Sequence, residues 1–351
     1  MSFIAPNFRH PEQGANGLGL RRSDYEGALS TLCAGCGHDS VSAAIVQACF
    51  EMDVEPHRVG KFSGIGCSSK TPNYFLNHSH GFNSVHGRMP SVATGAILGN
   101  RDLLYIGISG DGDTASIGMG QFIHAARRNL DMLYLVENNG CYGLTKGQDS
   151  ATADLGSVSK TGVATELYGL DLCALALQSG ASLVGRSFSG DKSQLVQLLK
   201  TAIAHRGFAF LDVISPCVTF NNTPASTKSY DYAREHIDVA GALDFVPHQS
   251  AIEIDYAEGE VQKVHLHDGS ELLLEKVGKD AGALDDKTAA LAAMNRAQDA
   301  GRMLTGLLYL DTELPDLHTV NRTVATPLNQ LGQDELFPGL DALEQINAEQ
   351  S

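Results

Sequence analysis

The sequence predicts an α/β fold: a mostly parallel sheet with helices on both faces. Residues 24–220 alternate short apolar runs, typical of strands, with segments whose apolar residues recur at helical spacing. This alternation is characteristic of parallel sheets, in which a helix connects each strand to the next. The expected strands are 58–63, 103–109, 132–137, 181–185 and 209–214. The expected helices are 38–52, 91–99, 116–129, 170–178 and 191–206.

The chain divides into three regions by composition and periodicity. Residues 1–23 are rich in Gly, Pro, Asn and Arg without periodicity, which predicts an extended N-terminal arm. Residues 24–245 form the expected main domain, and residues 246–351 a small C-terminal region. In 251–275, apolar and polar residues alternate around Glu-Gly and Asp-Gly turns, which predicts an antiparallel pair of strands. An Ala-rich helix over 285–304 and an acidic tail complete the prediction.

Composition excludes several classes of partner. The chain has 351 residues, with 41 acidic against 25 basic side chains, for a formal net charge of −16. Nucleic acids and anionic membranes bind through clustered Lys and Arg, so they are not expected as partners. The chain has no apolar run of about 18 residues, and its N-terminus lacks the features of a secretion signal. We therefore expect a cytoplasmic protein whose cysteines stay reduced.

Four cysteines stand where they could share one site. Cys33 and Cys36 form a CxxC motif before an expected helix, while Cys67 and Cys217 each follow an expected strand. Ligands gather beyond the carboxyl ends of parallel strands, so the four thiols should meet at one edge. Zinc or a [4Fe–4S] cluster could bind there, and one close pair with two distant single residues fits a cluster better. A thiol–disulfide pair is the alternative, but it leaves Cys67 and Cys217 unexplained. Two further cysteines lie in apolar helical segments and are expected in the core: Cys49 and Cys173.

A second motif, "GDGDTA" at residues 110–115, follows another expected strand. It fits the loose pattern of a dinucleotide site, but Asp111 would then meet a pyrophosphate, anion against anion. A divalent cation between the two resolves this conflict. Mg²⁺ prefers about six oxygen ligands, some from the protein and some from phosphates and water. Asn139 follows the next expected strand and could supply a second ligand.

The two motifs carry a resemblance to known families. "GDGD" followed about 27 residues later by "NN" is similar to the diphosphate-binding motif of thiamine diphosphate enzymes. That resemblance implies a Mg²⁺ ion held by Asp111, Asn139 and the backbone carbonyl of Cys141. The order CxxC, "GIGCS", "HGR", "GDGD", "NN" and "SPC" resembles the beta subunit of 2-oxoacid:ferredoxin oxidoreductases over roughly residues 25–245.

The resemblance implies a thiamine diphosphate-binding fold and assigns cofactor roles to particular residues. One [4Fe–4S] cluster would lie close to the thiamine ring, on four matching cysteines: Cys33, Cys36, Cys67 and Cys217. Contacts with thiamine diphosphate would come from Ile65, Gly66, Cys67, Ser68, His86, Gly112, Asp113, Gly143 and Leu144. Asp113 is expected to lie near a phosphate or to cap a helix rather than to bind metal. The other histidines, His38 among them, are expected to pack or to lie on the surface.

The implied reaction is the oxidative decarboxylation of a 2-oxoacid with coenzyme A and reduction of ferredoxin. It is reversible, so carbon dioxide fixation by reductive carboxylation is also implied. The segment "YGLTKGQ", residues 142–148, resembles the branch that uses 2-oxoglutarate or a broad range of substrates, which predicts succinyl-CoA as product. Lys70 and Lys146 are expected to contact the substrate. Three alternatives stay open: pyruvate or broad 2-oxoacid specificity, a thiamine-dependent decarboxylase with structural zinc, and a non-catalytic electron-transfer subunit.

Partners also follow from the resemblance. The glutamate that activates thiamine comes, in this family, from an alpha or fused gamma–alpha subunit, which also holds the coenzyme A site. We therefore expect an αβ heterodimer, paired again into a dimer of heterodimers. Ferredoxin is the expected electron acceptor, and its docking would need a local basic patch such as Arg127 and Arg128. The sequence has no CxxCxxC run, so one cluster per chain is expected.

Overall fold

An eight-stranded, mostly parallel sheet forms the centre of the protein. The structure is a computed structural model, and it describes residues 14–158, 164–241, 243, 245, 261–265, 271–275, 284–337 and 339–350. The strands are β1 (Val59–Ser63), β2 (His80–Asn83), β3 (Leu104–Gly110), β4 (Met132–Asn138), β5 (Cys141–Tyr142), β6 (Gln148–Asp149), β7 (Leu183–Phe188), β8 (Phe208–Ile214), β9 (Ile237–Val239), β10 (Val261–His265), β11 (Glu271–Glu275) and β12 (Met303–Leu310). The order in the main sheet is β2-β1-β3-β4-β8-β7-β12-β9.

Ten α-helices belong to the described part of the chain. They are α1 (Gly37–Glu51), α2 (Met89–Gly99), α3 (Met119–Arg127), α4 (Leu172–Ser179), α5 (Lys192–Ala204), α6 (Tyr230–His236), α7 (Lys287–Asp299), α8 (Leu317–Asn321), α9 (Gln333–Leu336) and α10 (Leu340–Glu349). Within these ranges no helix combines the length and the apolar character that crossing a bilayer requires.

The sheet is buried on both faces. In β4, Leu133 and Leu135 point to one core, which α1 and α5 cover. Met132, Tyr134 and Val136 point to the other core, which α2, α3, α4 and α7 cover. Successive side chains of a strand alternate between faces, so a strand covered on both sides is apolar throughout. This explains why the strands read as continuous apolar runs in the sequence.

All five predicted strands and all five predicted helices are present, with ends displaced by at most a few residues. The helix expected over 116–129 is α3, and a π-helical turn at Gly112–Ile117 precedes it. The antiparallel pair predicted in 251–275 is confirmed for β10 and β11, and its remaining residues lie outside the described ones. Residues 1–13 of the predicted arm also lie outside them.

Two strands correct the sequence analysis. The exposed edge strand β2 was not predicted, because it is only four residues long and contains a single large apolar side chain, that of Phe82. The helix expected over 285–304 was wrong at its end: α7 stops at Asp299, and β12 begins at Met303. Strand β12 pairs antiparallel with β7 and parallel with β9, so C-terminal residues complete the main sheet. The expected acidic tail contains β12 and three helices. The division at residue 245 stays a prediction.

Candidate functional site

The candidate site lies at the carboxyl ends of β1, β3, β4 and β8, which are adjacent and parallel in that order. The residues that follow these four strands include Cys67, Asp111, Asn139 and Cys217. The expectation that the strand ends meet at one edge is confirmed. Side chains with oxygen atoms and side chains with thiols are therefore found together at the carboxyl edge of the sheet.

Asp111 is a buried carboxylate surrounded by hydrogen-bond donors. Its Oδ2 accepts hydrogen bonds from the Ser150 hydroxyl and, at 2.7 Å, from Thr152 Oγ1. Its Oδ1 faces the backbone N–H of Asn139 at 3.4 Å. Burial raises the pKa of Asp111 above its ordinary value, although these donors oppose the shift. None of the donors described around this carboxylate is a cation, so its negative charge has no compensating positive side chain among the described residues.

The groups next to Asp111 suit a magnesium ion. Asn139 Oδ1 accepts the backbone N–H of Cys141 at 3.0 Å, which fixes the amide and the Cys141 backbone as one turn. Asn221 Nδ2 donates to the Asn139 carbonyl at 2.8 Å and holds this turn from outside. A carboxylate, an amide oxygen and a backbone carbonyl are hard oxygen ligands, the kind that Mg²⁺ prefers. The uncompensated carboxylate and this donor set fit the ion that the sequence analysis expected.

Asp113 connects three loops of the site. Its Oδ1 accepts from His86 Nδ1 at 2.6 Å and from the backbone N–H of Gly87 at 2.9 Å, and its Oδ2 accepts from Ser109 Oγ at 2.9 Å. Gly64 lies so close that an added Cβ would stand 1.8 Å from Asp113 Oδ2. The carboxylate therefore positions the loops that follow β1 and β2 against the turn that follows β3.

A cavity of about 80 Å³ opens between these loops. It is lined by all nine residues expected to contact thiamine diphosphate, and by Asp111, Asn139 and Cys141. Gly112 forms part of the wall under the Tyr142 ring, where an added Cβ would lie 2.5 Å from a ring carbon. The backbone therefore approaches the cavity more closely than a residue with a side chain would allow. Further lining residues that the sequence analysis did not assign are His38, Gly110, Glu137, Tyr142 and Thr145.

Of the four candidate ligand thiols, Cys67 lines this cavity, and the other three lie beside it rather than in its lining. Cys67 Sγ and Cys217 Sγ are each 3.5 Å from the position that a Cβ on Gly143 would occupy. Burial raises the pKa of Cys67, and the charges of Cys217 and Cys33 raise it further. All seven cysteines are free thiols. Within the described ranges, however, no three His, Cys, Asp or Glu side chains converge tightly enough to hold one metal ion.

Among the four candidate ligand cysteines, Cys217 has the surroundings that most favour the thiolate form. Its pKa is lowered to about 6, first by a hydrogen bond from the Cys141 thiol and then by three successive backbone N–H groups, those of Thr219, Phe220 and Asn221. Burial raises the pKa of Cys36 to about 12, opposed by the His38 N–H in the first turn of α1. Thiolates are the form that binds metals, so this loop favours ligation by Cys217.

Glycines hold the CxxC loop against the Cys217 loop. The Gly37 N–H donates to the Pro216 carbonyl at 3.3 Å, and Tyr230 Oη donates to the Gly35 carbonyl at 3.0 Å. A Cβ added to Gly37 would lie 2.6 Å from Ser215 Oγ and 2.9 Å from Pro216 N. Gly35 has φ +79°, which glycine adopts without strain. Close packing of two backbones therefore brings Cys36 towards Cys217.

We expect Gly37→Ala to destabilise the protein by about 2 kcal/mol, because the new methyl group meets backbone atoms that must move. The same displacement separates the two cysteine loops, so iron bound after anaerobic reconstitution should fall as well. Chemical denaturation and iron analysis measure both effects. Gly95→Ala is the matched control: that glycine lies in α2 with no atom within 4 Å of the added Cβ. It should stabilise the chain by about 0.5–1 kcal/mol. Equal effects of the two substitutions would contradict the proposed packing.

Lys61 holds the loop that carries Cys67. It lies in β1, and its Nζ donates to the carbonyls of Pro72, Phe75 and Leu76 at 2.6, 2.7 and 3.1 Å. Burial lowers the pKa of Lys61 to about 8. The lysine therefore fastens the far end of the 3₁₀ helix Ser68–Tyr74, whose first residue follows Cys67.

A buried polar network links four segments of the site. Thr71 Oγ1 lies 3.0 and 2.9 Å from the two carboxyl oxygens of Glu137 and donates to them. His38 Nδ1 is hydrogen-bonded to Ser215 Oγ at 2.6 Å and stands 3.7 Å from Glu137 Oε2. Burial raises the pKa of Glu137 well above its ordinary value and lowers that of His38 to about 4. The carboxyl group therefore connects the segments that carry Cys36, Cys67, Asn139 and Cys217.

We expect Glu137→Ala to cost about 3 kcal/mol of stability, because it leaves a cavity and a buried Thr71 hydroxyl without its acceptor. Glu137→Gln keeps an acceptor of the same size and should change stability by less than about 1 kcal/mol. Denaturant unfolding of the full chain measures both. If Gln were as costly as Ala, the negative charge rather than the acceptor would be what the network needs.

The two lysines expected at the substrate do not line the cavity. Lys146 is exposed in the turn after Thr145, with its backbone in the left-handed region at φ +79°. Lys70 is half-buried, and its charge lowers the pKa of Cys67, so it lies near that thiol. Both stand beside the site, and their contact with substrate stays a prediction.

Comparison with known proteins identifies the domain in which these residues lie. Residues 60–213 match the C-terminal TPP-binding domain of thiamine pyrophosphate enzymes. This range contains β3, β4, nearly all of β1 and β8, and the loops after β1, β2, β3 and β4 that line the cavity, but neither the CxxC loop nor the Cys217 loop. Fold and site therefore define the class of protein: the chain carries a thiamine diphosphate-binding α/β domain.

Individual relatives show to which family within this class the chain belongs. The chain is 42% identical over 191 residues to a 2-oxoacid:ferredoxin oxidoreductase subunit beta from Sulfolobus, covering 54% of this chain and 63% of that protein. It is 38% identical over 189 residues to the 2-oxoglutarate synthase subunit KorB of Methanocaldococcus jannaschii, covering 54% of this chain and 69% of that one. The chain belongs to the family of 2-oxoacid:ferredoxin oxidoreductase beta subunits.

A solved structure agrees over a longer part of the chain. The 2-oxoglutarate:ferredoxin oxidoreductase from Magnetococcus marinus, solved with 2-oxoglutarate, coenzyme A and succinyl-CoA bound, superimposes with a TM-score of 0.70. The match covers 86% of this chain and 89% of that one, at 28% identity. The likeness therefore extends beyond the residues that the sequence relatives match.

Proposed function

We propose that this chain is the beta subunit of an enzyme that oxidatively decarboxylates 2-oxoglutarate with coenzyme A and passes the electrons to ferredoxin. One observation carries the proposal: Asp111, Asn139, Cys67 and Cys217 follow four adjacent parallel strands at one edge of the sheet, and the CxxC loop packs against the Cys217 loop. A thiamine enzyme without electron transfer would not need the thiols, and a thiol metal site alone would not need Asp111. The names of the relatives support 2-oxoglutarate as the substrate. Because the chemistry is reversible, reductive carboxylation of succinyl-CoA belongs to the same proposal.

The oxygen ligands of the site would hold the diphosphate end of the cofactor. Asp111, Asn139 and the Cys141 carbonyl would bind Mg²⁺, which neutralises the phosphates. Thiamine diphosphate, when bound, supplies a carbon nucleophile and stores the electrons left by decarboxylation. The chain's own part is to position that cofactor. Gly112 has no side chain, so the cofactor can approach the backbone there, and Asp113 holds His86 and the neighbouring loops in place.

The four cysteines would hold one [4Fe–4S] cluster. Each thiolate of such a cluster binds a different iron, so its ligands stand farther apart than those of a single ion. The described residues do not bring three metal-binding side chains together on a single-ion site, which is compatible with this wider arrangement. The Cys217 loop supplies a thiolate with four hydrogen-bond donors, and the start of α1 supplies a backbone N–H near Cys36. Hydrogen bonds to ligand sulfurs stabilise the added negative charge of the reduced cluster.

A partner subunit would complete the site. Large apolar side chains are exposed close to the cavity, and they include Phe82, Val85, Ile117 and Leu144. Exposed apolar residues grouped around a ligand cavity are typical of an interface. We propose that an alpha or fused gamma–alpha subunit covers this surface, supplies the activating glutamate and binds coenzyme A. Lys70 and Lys146 would then attract the distal carboxylate of 2-oxoglutarate.

The test is an anaerobic assay of the complex purified with its partner subunit. Coenzyme A and one 2-oxoacid are added, and reduction of ferredoxin or a viologen dye is followed. We expect activity with 2-oxoglutarate above that with pyruvate or 2-oxobutyrate. A preference for pyruvate would refute the substrate but keep the enzyme class. Decarboxylation without dye reduction, together with zinc in place of iron, would refute the oxidoreductase.

A further inference from the structure

A row of buried polar side chains leads from Asp111 to an arginine in β7. Thr152 Oγ1 lies 2.7 Å from Asp111 Oδ2 and 3.0 Å from Asn138 Oδ1. The Asn138 amide in turn donates from Nδ2 to Asp212 Oδ1 at 3.0 Å, and Arg186 Nε donates to Asp212 Oδ2 at 3.1 Å. All five residues are at most 8% exposed. We call these five residues the Arg186 network.

The outer end of the Arg186 network is rigid. Arg186 in β7 and Asp212 in β8 stand directly opposite each other in the sheet. The guanidinium also donates from Nη2 to Asp171 Oδ1 at 2.5 Å, and Asp171 caps α4 by accepting the Ala174 N–H. A guanidinium that binds two carboxylates through two different nitrogens has a fixed position and plane. Asp212 is therefore held in one orientation by its strand, by Arg186 and, through Asp171, by α4.

This orientation decides which way the Asn138 amide faces. Both oxygens of Asp212 accept hydrogen bonds, as those of an ionised carboxylate do. Such a carboxylate attracts the NH₂ group of Asn138 and repels its oxygen, so Asn138 Oδ1 faces Thr152. The Thr152 hydroxyl has a single hydrogen, and the closer, charged acceptor for it is Asp111 Oδ2. The hydroxyl is therefore held between the Asn138 amide and the Asp111 carboxylate.

Both side chains expected to bind magnesium depend on this arrangement. Ser150 and Thr152 donate to Asp111 Oδ2, which leaves Oδ1 as the less occupied oxygen. Asn138 directly precedes Asn139, and its carbonyl accepts the backbone N–H of the residue after β8 at 2.8 Å. The backbone and the side chain of Asn138 therefore both tie the end of β4 to β8. The network fixes the direction of Asp111 and the place from which Asn139 projects.

The supporting residues lie outside the thiamine cavity. A second cavity, of about 310 Å³, shares no lining residue with the first among the described residues. It is lined by all four members of the network other than Asp111: Thr152, Asn138, Asp212 and Arg186. An effect of these four side chains on cofactor binding must therefore pass through the magnesium ligands or through the electric field of the ion pair.

We propose that the ion pair of Arg186 and Asp212 positions the magnesium ligand Asp111. It acts through the amide of Asn138 and the hydroxyl of Thr152. This role rests on the magnesium site proposed above, and the pair itself touches neither metal nor cofactor. Its part is to hold the carboxylate in the direction that the ion requires. Side chains that orient metal ligands in this way typically contribute about 10–100-fold to metal affinity.

Replacing the ion pair by apolar side chains tests this role. Arg186→Met with Asp212→Leu removes both charges, and the cofactor-free full-length chain should unfold at nearly the same temperature, since such replacements are often neutral. We expect titration calorimetry to show thiamine diphosphate with Mg²⁺ binding at least about 10-fold more weakly. The matched control is Arg302→Met with Asp238→Leu. It replaces a half-exposed ion pair whose arginine also lines the second cavity, and it should change the affinity less than about threefold.

Asn138→Ala separates positioning from the field of the charges. Alone, it should weaken binding by a factor similar to that of the apolar pair. In the Asn138→Ala background the apolar pair should weaken binding no further, because the connection to Asp111 is already broken. If the ion pair acted through space, the two losses would multiply, and that result would overturn the proposal.

Thr152 gives a second comparison, which leaves the ion pair intact. Thr152→Val keeps the shape without the hydroxyl and should bind at least about 10-fold more weakly, whereas Thr152→Ser keeps the hydroxyl and should stay within about threefold. With Mn²⁺ in place of Mg²⁺, the electron paramagnetic resonance spectrum should change in the Val variant and the apolar pair but not in the Ser variant, because a displaced carboxylate alters the symmetry around the metal.

The outcomes distinguish this role from the magnesium site itself. Unaltered affinity in the apolar pair and in Thr152→Val, with normal binding by the unaltered chain, would overturn the positioning role alone. An unaltered chain that binds no thiamine diphosphate with Mg²⁺ would overturn the magnesium site and the positioning role together.

Discussion

Asp111→Asn should abolish retention of thiamine diphosphate while leaving the fold as stable as before, or more stable. The Asp111 carboxylate is buried, and burial raises its pKa; no cation stands beside it among the described residues. Asparagine keeps the shape and can still form hydrogen bonds with Ser150 and Thr152, but it has no charge to balance Mg²⁺. We expect the affinity for thiamine diphosphate with Mg²⁺ to fall more than about 100-fold.

Titration calorimetry measures the affinity, and thermal unfolding of the cofactor-free chain measures the stability. Asp149→Asn is the matched control, because Asp149 lies on the neighbouring hairpin but does not line the cavity. It should bind the cofactor as the unaltered chain does. Wild-type affinity in Asp111→Asn would refute the metal site, and a large loss of stability would show that Asp111 serves the fold instead.

Removing one candidate ligand thiol should remove the iron. Anaerobically reconstituted chain should hold about four irons, and Cys36→Ala or Cys217→Ala should hold less than one, because a [4Fe–4S] cluster needs all its thiolates. Iron and sulfide analysis, with absorbance near 400 nm, measures the loss. Stoichiometric zinc without iron in the unaltered chain would refute the cluster and favour the decarboxylase alternative.

Substitutions of two further cysteines distinguish the loss of a cluster ligand from the loss of packing. Cys49 is fully buried in α1 away from the cavity, so Cys49→Ala should lose some stability and keep its iron. Cys141 donates its thiol hydrogen bond to Cys217. Cys141→Ala should therefore keep its iron but show a lower midpoint potential, since the reduced cluster loses a donor. Iron loss in all four variants alike would indicate a folding defect rather than missing ligands.

The sequence could predict which loops meet, because that depends on local patterns alone. Each of Cys67, Asp111, Asn139 and Cys217 follows an apolar run, and parallel strands bring their carboxyl ends to one edge. The nine cofactor contacts were expected from the family resemblance, and they line one cavity because their loops leave the sheet at this edge. Once the strands are recognised, the order of the strands in the sheet is not needed to predict that these four residues meet, because the loops that carry them all leave the sheet at the same edge.

The polar network could not be predicted in this way. Glu137 meets Thr71 across 66 residues, and His38 meets Ser215 across 177. A lone histidine in a helix gives no sign of a distant hydroxyl, and a glutamate at a strand end reads as exposed. Strand β12 was missed for a related reason: its apolar residues continue those of α7, and only pairing with β7 makes them a strand. The polar network and strand β12 both depend on strand register and side-chain direction. A short stretch of sequence does not contain this information.

The place of β12 has a consequence for how the chain is made. Strand β7 is wholly buried in the finished sheet, yet its outer edge is covered by residues 303–310, more than a hundred positions later. While the ribosome is still producing the intervening residues, that edge has unpaired backbone groups and apolar side chains on both faces. Such an edge pairs readily with other chains, so the nascent protein is most prone to aggregate in this interval. This risk of aggregation ends only when β12 emerges from the ribosome and pairs with β7.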